Sequence, residues 1–180
     1  SDAEARQVFD TNVFGLLHVI RAALPVLRAA RRGHVVNIGS VGGLLARSGS
    51  GIYAATKFAL EGISESLALE LKPLGVKVTV VEPGPFRTDF SGRSLFEAET
   101  RIGDYDATAG AWRAELRGKH GTQPGDPDKA ARVIIDAVTV PEPPLHLVLG
   151  APAMARAEEK LHALLDEIER WRGPSAATEF

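Results

Sequence analysis

Apolar residues at helical spacing open the chain. Val8, Phe9, Val13, Leu16, Leu17, Ile20, Leu24 and Leu27 recur on one side of a helical wheel, which predicts an amphipathic helix over Glu4 to Ala30. Pro25 is expected to kink or shorten that helix, and Gly33 to end it. The pattern then changes period. His34 to Ser40 and Val76 to Glu82 are short β-branched runs without clean alternation, the mark of strands buried on both faces of a parallel sheet. Between them Tyr53 to Leu71 reads as a helix closed by Pro73 and Gly75, so the three segments predict a β-α-β unit.

Regularity falls away after Pro85. Residues 85–125 are rich in Gly, Thr and Asp, with Phe86, Phe90, Leu95 and Phe96 among them and a short helical stretch at Ala111 to Arg117. A long insertion of this kind is expected to be a substrate lid or to be disordered. Asp128 to Val138 reads as a helix and Leu145 to Leu149 as a strand. Ala155 to Trp171 reads as an amphipathic helix whose stripe of Leu161, Leu164, Leu165, Ile168 and Trp171 is expected to join the core or a subunit contact. No internal repeat or low-complexity tract divides the chain, so residues 1–180 are expected to form a single domain.

Against this pattern Ser40, Tyr53 and Lys57 carry the candidate chemistry. Tyr53 and Lys57 stand four apart on one face of the predicted helix, so the ammonium is expected to lean toward the phenol oxygen. Ser40 lies where a strand hands over to a loop. Bringing a tyrosine from its ordinary pKa of about 10 to about 7 requires roughly 4 kcal/mol of phenolate stabilisation. One unit charge about 4 Å away at an effective dielectric of about 20 supplies that much. Tyr53 is therefore expected to serve as general acid to a carbonyl or general base to an alcohol, with Ser40 fixing the same substrate oxygen.

Ser40, Tyr53 and Lys57, in that order and spacing, resemble the active-site signature of the short-chain dehydrogenases/reductases. Asp10-Thr-Asn-Val-Phe-Gly15 resembles the family segment carrying an active-site asparagine, here Asn12, whose carbonyl helps to hold a water in a proton relay to the lysine. Val81-Glu-Pro-Gly-Pro-Phe-Arg-Thr88 resembles the stretch that touches the nicotinamide end of the cofactor, and so implies cofactor contacts from Pro83, Gly84, Phe86 and Thr88 besides Tyr53 and Lys57. The resemblance continues through Pro124-Gly-Asp-Pro127 to the helix after Leu149. It implies an α/β fold, the C-terminal part of a Rossmann-like doubly wound parallel sheet with flanking helices and a long C-terminal helix. It implies NAD or NADP as cofactor, a small-molecule alcohol or carbonyl substrate, and a homo-oligomer when complete.

Members of that family begin with a strand, a Gly-rich turn and a helix that bind the adenosine and pyrophosphate. Gly39, Gly42, Gly43, Gly49 and Gly51 lack the G-x-G-x-x-G pattern and read as loop glycines, not a phosphate cradle. The residue that would choose between NAD and NADP follows the second strand of such a fold and has no counterpart here. The chain starts at Ser1, and its one methionine is Met154. These residues are accordingly expected to be roughly the second two-thirds of a longer enzyme. The alternative is a shortened, catalytically inactive chain acting only as an interaction module or left as a non-functional fragment.

Composition narrows the remaining choices. With 44% hydrophobic and 24% charged residues the chain has apolar content for one core, and a net charge of −2 gives no electrostatic footprint for nucleic acid. There is no cysteine, which excludes disulfides, thiolate zinc sites and cysteine nucleophiles. No uninterrupted apolar run reaches about 18 residues, so no membrane span is expected and the cytoplasm is the default location. His18, His34, His120, His146 and His162 show no spacing of a metal site, and are expected to be surface or satisfied histidines. Ile38 stands where a hydrolase elbow around Ser40 would need glycine, which argues against acyl transfer.

Overall fold

The computed structural model describes residues 1–179. Three parallel strands, β1 (Gly33–Ile38), β2 (Val76–Pro83) and β3 (His146–Leu149), lie side by side in that order. Gly33 pairs with Val76 and Ile38 with Val81, while Val80 pairs with His146 and Pro83 with Leu149. All three strands therefore end on the same rim of the sheet, where Gly39 and Gly84 begin loops and Gly150 leads directly into a helix.

The opening helix is longer than its pattern predicts. Helix α1 (Asp2–Phe9) runs through a π-helical turn at Asp10–Phe14 directly into α2 (Gly15–Ala30). Ser1 and Glu4 form a reciprocal cap at its start. Pro25 does not end the helix. Both Pro25 and Arg21, whose carbonyl loses its donor, are on the exposed side, where water can replace the missing bond. Nor does Gly33 end it: Arg31 takes the left-handed cap position, at φ 51°, and Gly33 already belongs to β1. By length and composition alone, Asp2–Ala30 is apolar enough to cross a membrane, although isolated charges such as Arg21 leave it without an unbroken apolar run. In this fold Leu16, Ile20, Leu24 and Leu27 pack on the sheet.

Helix α3 (Gly51–Leu71) connects β1 to β2 and buries Leu60, Leu67 and Leu71. Ile20, Leu67, Leu71, Val76 and Val78 form one cluster. Val80 and Val81 are inaccessible to solvent, each contributing about 1.5–3 kcal/mol by burial. A buried hydrogen bond from Asn37 Nδ2 to Ser64 Oγ, 2.8 Å long, fixes α3 to β1. Two bonds hold the segment before β3 on β2: Thr79 Oγ1 donates to the Pro144 carbonyl at 2.6 Å, and Lys77 Nζ to the Pro141 carbonyl at 2.7 Å.

Residues 85–125 are folded rather than structureless. Short helical turns at Asp89–Ser91, Gly103–Tyr105 and Asp106–Gly110 lead into α4 (Ala111–Gly118). The Arg47 guanidinium lies 4.3 Å from the centroid of Trp112, and Arg117 pairs with Glu97. Helix α5 (Pro127–Thr139) is capped by Asp126. Helix α6 (Ala151–Ala176) starts earlier and ends later than its stripe suggests. The stripe is not core: Leu161, Leu164, Leu165, Ile168 and Trp171 are all exposed, Trp171 at 61%. The buried residues of α6 are instead Ala153 and Ala157, in its first two turns.

Candidate active site

The rim at the ends of β1 and β2 gathers the predicted residues. Ser40 leaves β1 in an extended conformation and caps the turn Val41–Gly43, its Oγ accepting from Gly42 N at 3.0 Å. Tyr53 lies in the first turn of α3, half-buried. A Cβ on Gly42 would lie 3.2 Å from Tyr53 Cε1 and 3.3 Å from Ser40 Oγ, so the bare glycine lets the phenol ring close on the serine turn. Across the ring stands Phe90, with centroids 5.7 Å apart and planes tilted by 56°. The loop after β2 therefore covers the tyrosine.

Asn12 is tied in from the π-helical turn. Its Nδ2 donates to Thr56 Oγ1 at 3.0 Å, and Thr56 Oγ1 donates in turn to the Tyr53 carbonyl at 2.7 Å. Thr56 is inaccessible to solvent, so this chain of bonds couples the opening helix to the turn of α3 that carries the phenol. Among the cofactor-end residues, Pro83 ends β2, and Gly84 N donates to the Leu149 carbonyl at 2.9 Å. Phe86 bridges to Gly125, and Thr88, exposed, caps the turn that presents Phe90.

Lys57 departs from expectation. Its Nζ donates to the Ile38 carbonyl at 2.9 Å and lies 5.9 Å from the Tyr53 ring centroid, so the ammonium is drawn to the end of β1 instead of the phenol oxygen. Electrostatics follow the geometry. Burial pushes the Tyr53 phenol above its ordinary value, and the Ser40 hydroxyl pulls it partly back. Burial likewise pushes Lys57 down, and the charge of Glu61 opposes that shift. The predicted lowering of Tyr53 by Lys57 is thus not found in this state.

A second group of titrating residues lies behind the first. Glu61, one helical turn beyond Lys57, meets Glu82 of β2 and His146 of β3. His146 Nδ1 is 2.7 Å from Glu82 Oε1 and 3.6 Å from Glu61 Oε2, and its Nε2 is 3.7 Å from Glu65 Oε1. Glu82 is inaccessible to solvent and Glu61 only 5% exposed. Burial, then the neighbouring charge of Glu82, pushes Glu61 up to about 8, and burial raises Glu82 as well. Spacing along the sequence does not show this group, because the carboxylates around His146 come from two other elements, α3 and β2. A signal was present. Glu82 is in phase with Val76, Val78 and Val80 on β2, and Glu61 extends the line of Tyr53 and Lys57 along α3.

Comparison with known proteins agrees with this architecture. The family model described as short chain dehydrogenase matches residues 1–98. Oxidoreductase BOA17 of Botryotinia fuckeliana is 36% identical over 169 residues, covering 94% of this chain and 61% of the relative. Human retinol dehydrogenase 8 is 42% identical over 106 residues, 59% of this chain and 33% of that protein. The crystal structure of a short-chain dehydrogenase from Streptomyces avermitilis superimposes with a TM-score of 0.87 at 38% identity, over 99% of this chain and 64% of that one. The chain belongs to the short-chain dehydrogenase family of oxidoreductases, and its sheet and long last helix are part of that family's Rossmann-like fold. It spans less than two-thirds of the length of these relatives.

Proposed function

We propose that this chain forms the catalytic and substrate side of an NAD(P)-dependent oxidoreductase that interconverts an alcohol and a ketone or aldehyde, with Tyr53 as general acid and base. The observation that carries the reading is the closure of Tyr53 onto the Ser40 turn beneath Phe90, with Lys57 one helical turn behind. In the reducing direction Tyr53 gives its proton to the substrate oxygen, and in the oxidising direction it removes one. Ser40 orients that oxygen. Phe90 and the rest of residues 85–125 act as the lid that limits water at the phenol.

The donor set at the rim fits the nicotinamide-ribose end of a dinucleotide. Lys57 offers an ammonium, Tyr53 a phenol and Thr88 an exposed hydroxyl, with Pro83, Gly84 and Phe86 in the segment that leads from the end of β2 to Thr88. NAD or NADP, when bound, supplies hydride exchange. Gly39, Gly42 and Gly43 are no cradle for its pyrophosphate, since a Cβ at any of them would press on Val80, Glu61 or Tyr53. Asn12 acts as a positioning residue through Thr56. A second role, pairing with another copy, is favoured by the exposed apolar stripe of α6.

The test is Tyr53→Phe in a polypeptide that carries this chain behind a dinucleotide-binding N-terminal half, assayed on secondary alcohols and ketones with NAD and NADP. We expect kcat to fall at least ~10²-fold with the fold intact. Near-normal turnover would sink the role of Tyr53. A well-folded, dinucleotide-binding parent without turnover on any alcohol or carbonyl would favour the interaction role alone.

A further inference from the structure

Glu61, Glu82 and His146 pose an electrostatic problem that the alcohol–carbonyl chemistry does not use. Glu61 Oε1 and Oε2 and Glu82 Oε2 are buried without any hydrogen-bond partner. A buried carboxylate left without donors costs several kcal/mol, so such a group either keeps a proton or takes a cation. The nearest ammonium, that of Lys57, is already bound to the Ile38 carbonyl. Neither carboxyl can swing away easily. Gly39 and Gly43 leave Glu61 just enough room, since a Cβ at either would lie 2.9 or 2.8 Å from its Oε1.

We propose that Glu61, Glu82 and His146 bind a divalent transition-metal cation of the Zn²⁺ class between α3, β2 and β3. The chemistry of the donors fits: two carboxylates and an imidazole balance a double charge and match the oxygen and nitrogen preference of Zn²⁺. Their ligand atoms lie within 4.8 Å of one another, and tetrahedral bonds of about 2.0–2.1 Å need roughly 3.4 Å, so side-chain rotation of about an ångström closes the site. Nδ1 is the ligating nitrogen of His146, because it faces both carboxylates. The opposite nitrogen, Nε2, points to Glu65 at 3.7 Å, the carboxylate that would hold the ring in the tautomer a metal requires. His146 is 38% exposed and Glu65 56%, which gives the ion its way in. This site stands independently of the oxidoreductase reading, and its role would be to lock β3 and α3 onto β2.

Titration of the folded, chelator-treated chain with Zn²⁺ in a calorimeter, and with Co²⁺ by visible absorption, tests the site without any activity assay. We expect one ion per chain, a Co²⁺ spectrum of low coordination with nitrogen and oxygen ligands, and proton release on binding. His146→Ala and Glu82→Gln should each weaken binding at least ~10-fold, and Glu65→Gln should weaken it less. His146→Ala leaves both buried carboxyls in place, so it remains informative if Glu82→Gln fails to fold. Absence of saturable uptake by the folded chain would overturn the proposal, as would uptake that His146→Ala leaves unchanged, which would place the ion on surface carboxylates or on other histidines.

Discussion

Tyr53 sets the residue scale, because its environment pulls against its proposed task. A buried phenol resists ionisation, and in this structure the Ser40 hydroxyl is the group that opposes that resistance, not the Lys57 ammonium. The chain has two tyrosines, so Tyr105→Phe leaves Tyr53 as the single phenol in an ultraviolet titration. We expect Tyr53 to ionise above its ordinary value near 10, and Ser40→Ala to move it higher still because the phenolate loses a donor. Lys57→Met should leave it nearly unmoved in the ligand-free chain. A large upward shift with Lys57→Met would restore the direct ion–phenol contact read from the sequence. Spacing alone could show that Tyr53 and Lys57 share a helix face. It could not show that the end of β1 presents a carbonyl to the ammonium, since that depends on how α3 crosses the strand.

At the scale of elements, β1, β2 and α3 were legible because apolar period and stop signals agree there: β-branched runs without alternation, and Pro73 and Gly75 after α3. Where local signals conflicted, tertiary contacts decided. Pro25 argues for a break in α2, but its face is solvated and Ile20 and Leu24 hold the helix to the core. The start of α6 carries a stripe of small residues that no hydrophobic wheel marks, and its use becomes clear only from Gly84. A Cβ on Gly84 would lie 2.7 Å from Ala153 Cβ and 3.3 Å from the Leu149 carbonyl, so the loop after β2 and the first turns of α6 depend on that missing side chain. Gly84→Ala should therefore destabilise the fold by about 1–3 kcal/mol, the usual cost of overpacking, measured by urea unfolding. A change within ~0.5 kcal/mol would mean that α6 shifts freely over the rim.

For the whole molecule, the cluster of Glu61, Glu82 and His146 makes stability depend on pH in a direction opposite to that of most carboxylates. Its members are far apart in sequence, His146 and Glu82 by 64 positions, so the faces on which Glu61 and Glu82 lie can be read locally, but only the parallel pairing of β2 with β3 under α3 brings the three together. In the folded chain burial holds a proton on Glu61 up to about 8, whereas the unfolded chain releases it near 4.5. Between those values the folded state binds more protons than the unfolded state, so stability is greatest at the acid end and falls as pH rises. The slope approaches about 1.4 kcal/mol per pH unit if one whole proton is involved. Urea unfolding in chelator at a series of pH values from about 5 to 8 should show this decline, and Glu61→Gln, which keeps a neutral side chain of the same shape, should flatten it and be more stable than the parent at the basic end. A parent whose stability is level or rises across that window would mean that the carboxyls are already ionised and compensated in the folded chain.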